Sequence, residues 1–319
     1  MARPAGRAFP DCAPAWLRLT PGGKSRNWLA MTATGPTANS FISQRLKLSY
    51  VDWGNPDAPP LILQHGGRDH ARSWDWVAEE LARDWHVIAP DLRGHGDSAW
   101  APDGNYDMGP FVYDFAQLVH TLGHEQVSII AHSLGGNIAT RFAGLYPKKV
   151  RKLVNIEGLG PSPKIRDQRE AAGYSNRFRK WIEDRRKAAG RIPRRYPTIE
   201  AAYARMKEEN GFLSDVQARH LTINGASRNE DGTWSWKFDP YLNVWPFEDV
   251  PDERTNELWR AITCPVLLLY GADSWASNPE LDGRAEVFSD RRTVEFENAG
   301  HWLHHDQFNR FIAEVRGFL

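Results

Sequence analysis

The sequence predicts an α/β protein, a mostly parallel, doubly wound sheet interrupted once by a long helical insertion. Three observations carry that expectation. Short, wholly apolar runs recur along the chain, as parallel strands covered on both faces require. Amphipathic helical stretches lie between them. The alternation stops after Gly160 and resumes near Cys264, leaving about a hundred residues with helical patterns of their own.

Taken in order, residues 1–40 read as a flexible tail, rich in Pro, Gly, Ser and Thr and without sustained period. Within it, Gly23-Lys24-Ser25 has the ending of a phosphate-binding loop, but Arg18 stands where that loop needs its first glycine. Met31 is an alternative start. From Gln44 the grammar changes. Leu46–Val51 alternates as a strand does, and Gly54-Asn55-Pro56 turns the chain. Apolar strands are expected at 61–63, 87–89, 127–130, 153–156 and 266–270, with a further strand-like run at 293–296. Helices are expected over 76–83, 111–122 and 137–146, the last with Ile138, Phe142 and Leu145 on one face. A final helix should begin at His304-His305-Asp306 and run through Phe308, Phe311 and Ile312. Residues 41–160 and 261–319 thus make one core domain, and 161–260 a helical lid between two of its strands. Ser214-Asp215-Val216-Gln217 in the lid is a capping box. Such a lid would cover the C-terminal strand ends, where open α/β sheets bind ligands.

Composition narrows the function. The 319 residues are 41% hydrophobic and 25% charged, an ordinary globular balance. Forty basic and forty acidic residues cancel, so no overall field favours nucleic acid or an anionic membrane. Cys12 and Cys264 imply no disulfide framework. Prolines and Asp11 interrupt the N-terminus, so no signal peptide is expected, no apolar run is long enough to span a bilayer, and the cytoplasm is the default location.

The chemistry concentrates at a few strand ends. Ala131-His132-Ser133-Leu134-Gly135 lies between the strand 127–130 and a helix starting near Gly136. A strand-to-helix turn this tight needs small residues around a strained serine and pushes its hydroxyl above the sheet, which marks Ser133 as a nucleophile. Gln64-His65-Gly66-Gly67 ends the strand 61–63, where glycines let amides turn inward. The Gly67 and Leu134 N–H groups would form an oxyanion hole, worth roughly 3 kcal/mol per donor. Asp91-Leu92-Arg93-Gly94-His95-Gly96-Asp97-Ser98 reads as a structural loop bracing the serine turn. Asn298-Ala299-Gly300-His301-Trp302 places a histidine on a loop late in the chain, suited to pass a proton from Ser133 to a leaving group. His304, His305 and Asp306 read as the start of a helix rather than a metal site.

Together, over roughly residues 44–319, these stretches resemble the α/β-hydrolase superfamily, and within it the lidded esterase, lactonase and C–C hydrolase branch that includes the serine-hydrolase-like proteins. The resemblance implies an α/β-hydrolase fold, a catalytic serine, no cofactor and no metal. It also implies a small-molecule substrate held under the lid. A homodimer is compatible with the sequence. Most relatives carry the triad acid three positions after the glycine that closes the strand 266–270. Here that position is Ser274, which cannot do a carboxylate's work. Two residues remain. Glu157 ends the strand after the nucleophile helix, where haloalkane dehalogenases and certain lactonases place their acid. Asp273 lies one residue before the usual position and is the alternate. Dehalogenase and epoxide-hydrolase chemistry are disfavoured, since both need Asp where Ser133 stands.

Residues 161–250 carry 17 Lys plus Arg against 13 Asp plus Glu, a surplus more typical of solvated helix faces than of an anion site. Fourteen tryptophans, Trp181, Trp234, Trp236, Trp245, Trp275 and Trp302 among them, supply aromatic lining or packing. The expectation is hydrolysis of a bulky, partly hydrophobic carboxylic ester or lactone through an acyl-enzyme. The alternatives are a C–C bond hydrolase and a ligand sensor with little turnover.

Overall fold

The computed structural model describes residues 35–244, 246, 247 and 252–319. The phosphate-loop run, Met31, Cys12, Trp245 and most of the expected tail lie outside the described residues. The sheet already begins inside the segment read as tail, because Thr37–Ser43 forms strand β1. β2 follows at Leu46–Asp52, β3 at Pro60–Gln64, β4 at His86–Pro90, β5 at Val127–His132 and β6 at Val150–Ile156. Helices α1 (Asp75–Leu81), α2 (Met108–Leu122) and α3 (Leu134–Leu145) fill the connections. After β6 come α4 (Pro163–Ala171), α5 (Tyr174–Ala189), α6 (Ile199–Glu209) and α7 (Asp215–Gly225). A hairpin of β7 (Ala226–Arg228) and β8 (Trp234–Trp236) precedes α8 (Asp252–Arg260). β9 (Val266–Gly271), β10 (Arg291–Phe296), α9 (Leu303–Asp306) and α10 (Phe308–Phe318) complete the chain.

Eight strands form one sheet in the order β1-β2-β4-β3-β5-β6-β9-β10. β1 pairs antiparallel with β2, and β2 with β4; every other pairing is parallel. The winding direction reverses between β3 and β5, so the loop after β3 and the turn after β5 diverge from adjacent strand ends. That is the crevice in which doubly wound sheets bind ligands.

Successive side chains of each central strand enter opposite layers. Ile62 and Ile129 join Phe111, Phe115, Phe142 and Trp259 on one face. Leu61, Leu63 and Ile130 join Trp74, Val77, Phe311 and Val315 on the other. Burial on both faces is why these strands read as unbroken apolar runs.

The insertion differs from the expected lid in two ways. It contains the β7–β8 hairpin as well as helices, and its last helix belongs to the core. Trp259 of α8 is buried against α3, and a Cβ on Gly144 of α3 would stand 2.3 Å from the Leu258 carbonyl oxygen. The capping box forms as expected at the start of α7, with Ser214 and Gln217 satisfying each other's backbone amides. The last helix does not begin at His304: α9 and α10 are separate, broken at Gln307. Residues of the 161–260 insertion bond the loops after β3 and β4 and helix α9, through the Leu221 carbonyl to His70 (3.0 Å), Asp239 N–H to the Gly94 carbonyl (2.8 Å) and Gln217 to the His305 carbonyl (3.0 Å).

Candidate active site

β5 ends at His132 and α3 starts at Leu134, so Ser133 alone makes the turn. Its backbone stands at φ 52°, ψ −118°, strain of about 1–3 kcal/mol that the surroundings must impose. They do so by close approach. A Cβ on Gly135 would sit 2.4 Å from the His65 carbonyl oxygen, one on Gly136 would sit 2.8 Å from Gly158 Cα, and one on Gly66 would sit 3.0 Å from Ser133 Cβ. Among the described residues, six non-glycine positions have positive φ, and four of them (Arg68, Ser133, Glu157 and Asn298) lie on the loops of this site.

Ser133 Oγ lies 2.9 Å from His301 Nε2. His301 Nδ1 in turn hydrogen-bonds Glu157 Oε2. The Glu157 side chain is fully buried, and the rest of its valence is filled. Gly271 N–H donates to Oε1 at 2.8 Å, and the Ser274 hydroxyl donates to Oε2 at 2.6 Å. Ser274, which stands at the position where the resemblance led one to expect the acid, thus donates to the Glu157 carboxylate. Asp273, the alternate acid, is exposed, and the carboxylate on His301 Nδ1 is that of Glu157.

Gly67 and Leu134 are neighbours: a Cβ on Gly67 would meet Leu134 Cδ2 at 3.9 Å. Leu134 opens α3, so its N–H has no intrahelical acceptor and adds to the positive end of the helix dipole. The loop 91–98 holds the strand end 64–67, which in turn packs against the serine turn. Leu92 N–H donates to His65 Nε2 at 3.0 Å, and Asp91 accepts from the Ala71 and Asp97 amides at 2.7 and 2.9 Å. Burial pushes the Asp91 carboxyl up to about 6.

Four supporting residues were missed in sequence. Asn155 ties the Gly136 carbonyl and Thr140 of α3 (3.2 and 2.7 Å) to the Gly158 amide (2.7 Å), locking the serine turn to the Glu157 turn. An amide side chain inside the apolar run Leu153–Ile156 was the available signal. His132 Nε2–H donates to the His301 carbonyl at 2.8 Å, and burial holds that ring neutral. Asp306 accepts the Gly300 amide at 2.9 Å, its carboxyl raised to about 6 by burial, and so shapes the His301 loop. Ser274, noted only as a missing acid, is the fourth. Trp275 lies against the His301 ring, centroids 4.7 Å apart. Among the described residues no group of three or more His, Cys, Asp or Glu could hold a metal ion, and no helix is long and apolar enough to cross a membrane.

A family model described as the alpha/beta hydrolase fold matches residues 59–308. The chain belongs to the α/β-hydrolase family. Its similarity extends to a serine hydrolase-like protein of Danio rerio, 29% identical over 277 residues, 84% of this chain and 83% of the relative. A 3-hydroxybutyrate-oligomer hydrolase of Cupriavidus necator is 32% identical over 243 residues, 72% of this chain and 77% of that protein. The solved structure of an esterase of Mycobacterium tuberculosis matches with a TM-score of 0.70 at 25% identity, over 88% of this chain and 91% of that one. This α/β-hydrolase is accordingly a hydrolase.

Proposed function

We propose that this α/β-hydrolase is a serine esterase that cleaves a bulky, partly hydrophobic carboxylic ester or lactone through an acyl-enzyme. The single observation that carries the reading is the unbroken relay from Ser133 Oγ through both nitrogens of His301 to the buried Glu157. With Nδ1–H held by Glu157, the Nε2 lone pair faces Ser133 and can take its proton as Oγ attacks the ester carbonyl. Gly67 and Leu134 N–H receive the developing oxyanion. His301 then returns the proton to the departing alcohol, and water repeats the sequence on the acyl-enzyme. The relatives named as an esterase and as a 3-hydroxybutyrate-oligomer hydrolase point the same way.

A fluorophosphonate probe tests the reading. Ser133 should be the labelled residue, Ser133→Ala should abolish labelling, and the unmodified chain should turn over p-nitrophenyl esters. Labelling at another serine, or no turnover of any ester or lactone, refutes it.

A further inference from the structure

Beside the oxyanion loop, two buried acceptors lack a donor. The loop runs on from Gly67 through Arg68, Asp69 and His70, which form one wall of a cavity of about 20 Å³. Leu221 and Trp236 of the 161–260 insertion and Trp302, next to His301, help to close it. On the same measure a water-sized group needs roughly 10–15 Å³.

Asp69 is 5% exposed and His70 6%. Asp69 Oδ1 accepts the His70 amide at 2.8 Å, but Oδ2 has no hydrogen-bond partner. The hydroxyl of Ser73 donates to the His70 carbonyl at 2.8 Å, and it lies close enough to Asp69 to favour the ionised carboxyl, but Oδ2 still has no hydrogen-bond partner. His70 Nε2 faces the Leu221 carbonyl oxygen at 3.0 Å, so the ring proton sits there and Nδ1 is a bare acceptor, again without a partner. Burial brings His70 down to about 4 and so keeps it neutral, and raises Asp69 to about 7. Nothing else in the proposed chemistry uses either group.

A ligand that removes this deficit must bring a donor. A cationic donor is unsuited, because Arg68 and Lys237 line the same cavity. A hydroxyl is neutral, fits the volume, and bonds Asp69 whether the carboxyl is ionised or protonated, since it both donates and accepts. We propose that this cavity is a subsite for a hydroxyl group on the substrate, with Asp69 Oδ2 as its partner, so that Asp69 selects hydroxy esters over their deoxy counterparts. The proposal rests on the ester-hydrolase reading and narrows its substrate class.

Paired esters test it in a pH-stat. Ethyl butyrate is compared with ethyl 3-hydroxybutyrate and 2-hydroxyethyl butyrate, and ethyl hexanoate with ethyl 6-hydroxyhexanoate. At least one hydroxy ester should exceed its parent about tenfold or more in kcat/KM, the range expected when a buried acceptor gains or loses its partner. In Asp69→Leu that ratio should fall to near one, whereas Asp69→Asn, which keeps a polar partner, should retain part of it. Fluorophosphonate labelling of Ser133 checks that each variant keeps its active site. Parent esters turned over with no hydroxy preference in any pair would overturn the subsite alone and leave Oδ2 holding an ordered water only. So would a preference that survives Asp69→Leu. Failure to hydrolyse any ester would instead overturn the reading on which the subsite rests.

Discussion

Replacing Glu157 by Gln changes one atom and should cost about four orders of magnitude in turnover. The magnitude follows from what surrounds the carboxylate. Oε1 accepts the Gly271 amide at 2.8 Å, and Oε2 faces both His301 Nδ1 and the Ser274 hydroxyl. The amide oxygen of the substituted side chain must stay on the fixed Gly271 N–H, because an NH₂ there would put donor against donor in a buried site. The NH₂ then points at His301 Nδ1 and turns the ring into the tautomer with hydrogen on Nε2. That hydrogen faces Ser133 Oγ, so the imidazole can no longer act as its base. In known triads the wrong tautomer and the lost charge cost on the order of 10⁴ in kcat, roughly 5.5 kcal/mol. Asp273→Asn, at an exposed position off the relay, should lose less than about tenfold. The assay is steady-state ester hydrolysis, with unchanged thermal unfolding to show that the variant folds. Glu157→Gln retaining more than about a tenth of wild-type kcat, or Asp273→Asn losing more than Glu157→Gln, refutes the reasoning.

Ser133→Ala and His301→Ala should each remove essentially all turnover, and the double variant should be hardly worse than either; additive losses would show that the two act apart. Ser274→Asp in the Glu157→Gln background should recover at least about tenfold, since Ser274 Oγ sits 2.6 Å from the oxygen being replaced, and activity unchanged or lower would show that Ser274 does not give access to Nδ1. Gly135→Ala drives a Cβ into the His65 carbonyl and should lower the unfolding midpoint and turnover together, by about 1–3 kcal/mol of stability; a neutral result would show that the serine turn has slack. The chain should be acid-labile. His65, His70, His95, His132, His304 and His305 are buried with pKa values held below the usual 6.5, so each contributes stability above pH 6.5 that is lost as pH falls, by roughly 1.4 kcal/mol per unit. The raised carboxyls of Asp69, Asp91 and Asp306 and the raised His220 beside Asp75 act in the opposite sense but are fewer, so urea-unfolding midpoints should drop from pH 7.5 to 5.5, and a flat or rising profile would contradict it.

The sheet was legible because its strands are buried on both faces and flanked by tight turns, which leaves short apolar runs between helical periods. What escaped was structure without that signature. β1 is half exposed, with polar residues at Thr37, Asn39 and Ser40, and so reads as tail. The β7–β8 hairpin has three-residue strands, too short for period two to show. α8 follows a long helical insertion in sequence yet packs on α3, because Trp259 rather than its charged surface decides where it sits. In each case the missing information was a tertiary contact that no local pattern encodes.

The site divides along the same line. Ser133 and His301 could be read because a strained strand-to-helix turn and a loop histidine late in the chain each come with a recognisable local string. The acid could be read only as Glu157 with Asp273 as alternate, because the choice depends on where two strand ends meet in space, and there Glu157 is the residue on His301 Nδ1. β6 and β9 are adjacent and parallel, and the pairing of Ile156 with Leu269 brings the residue after β6 beside the end of β9. Glu157 and Ser274 therefore reach the same point beside His301 Nδ1 from different strands. A carboxylate supplied from either strand could occupy that point, and the other position needs only a small donor to complete it. The hydroxyl of Ser274 on Glu157 Oε2 is that donor. In the proposed triad the charge therefore comes from the strand next to the usual one, and what the sequence alone could not supply was the Ser274 hydrogen bond that completes it.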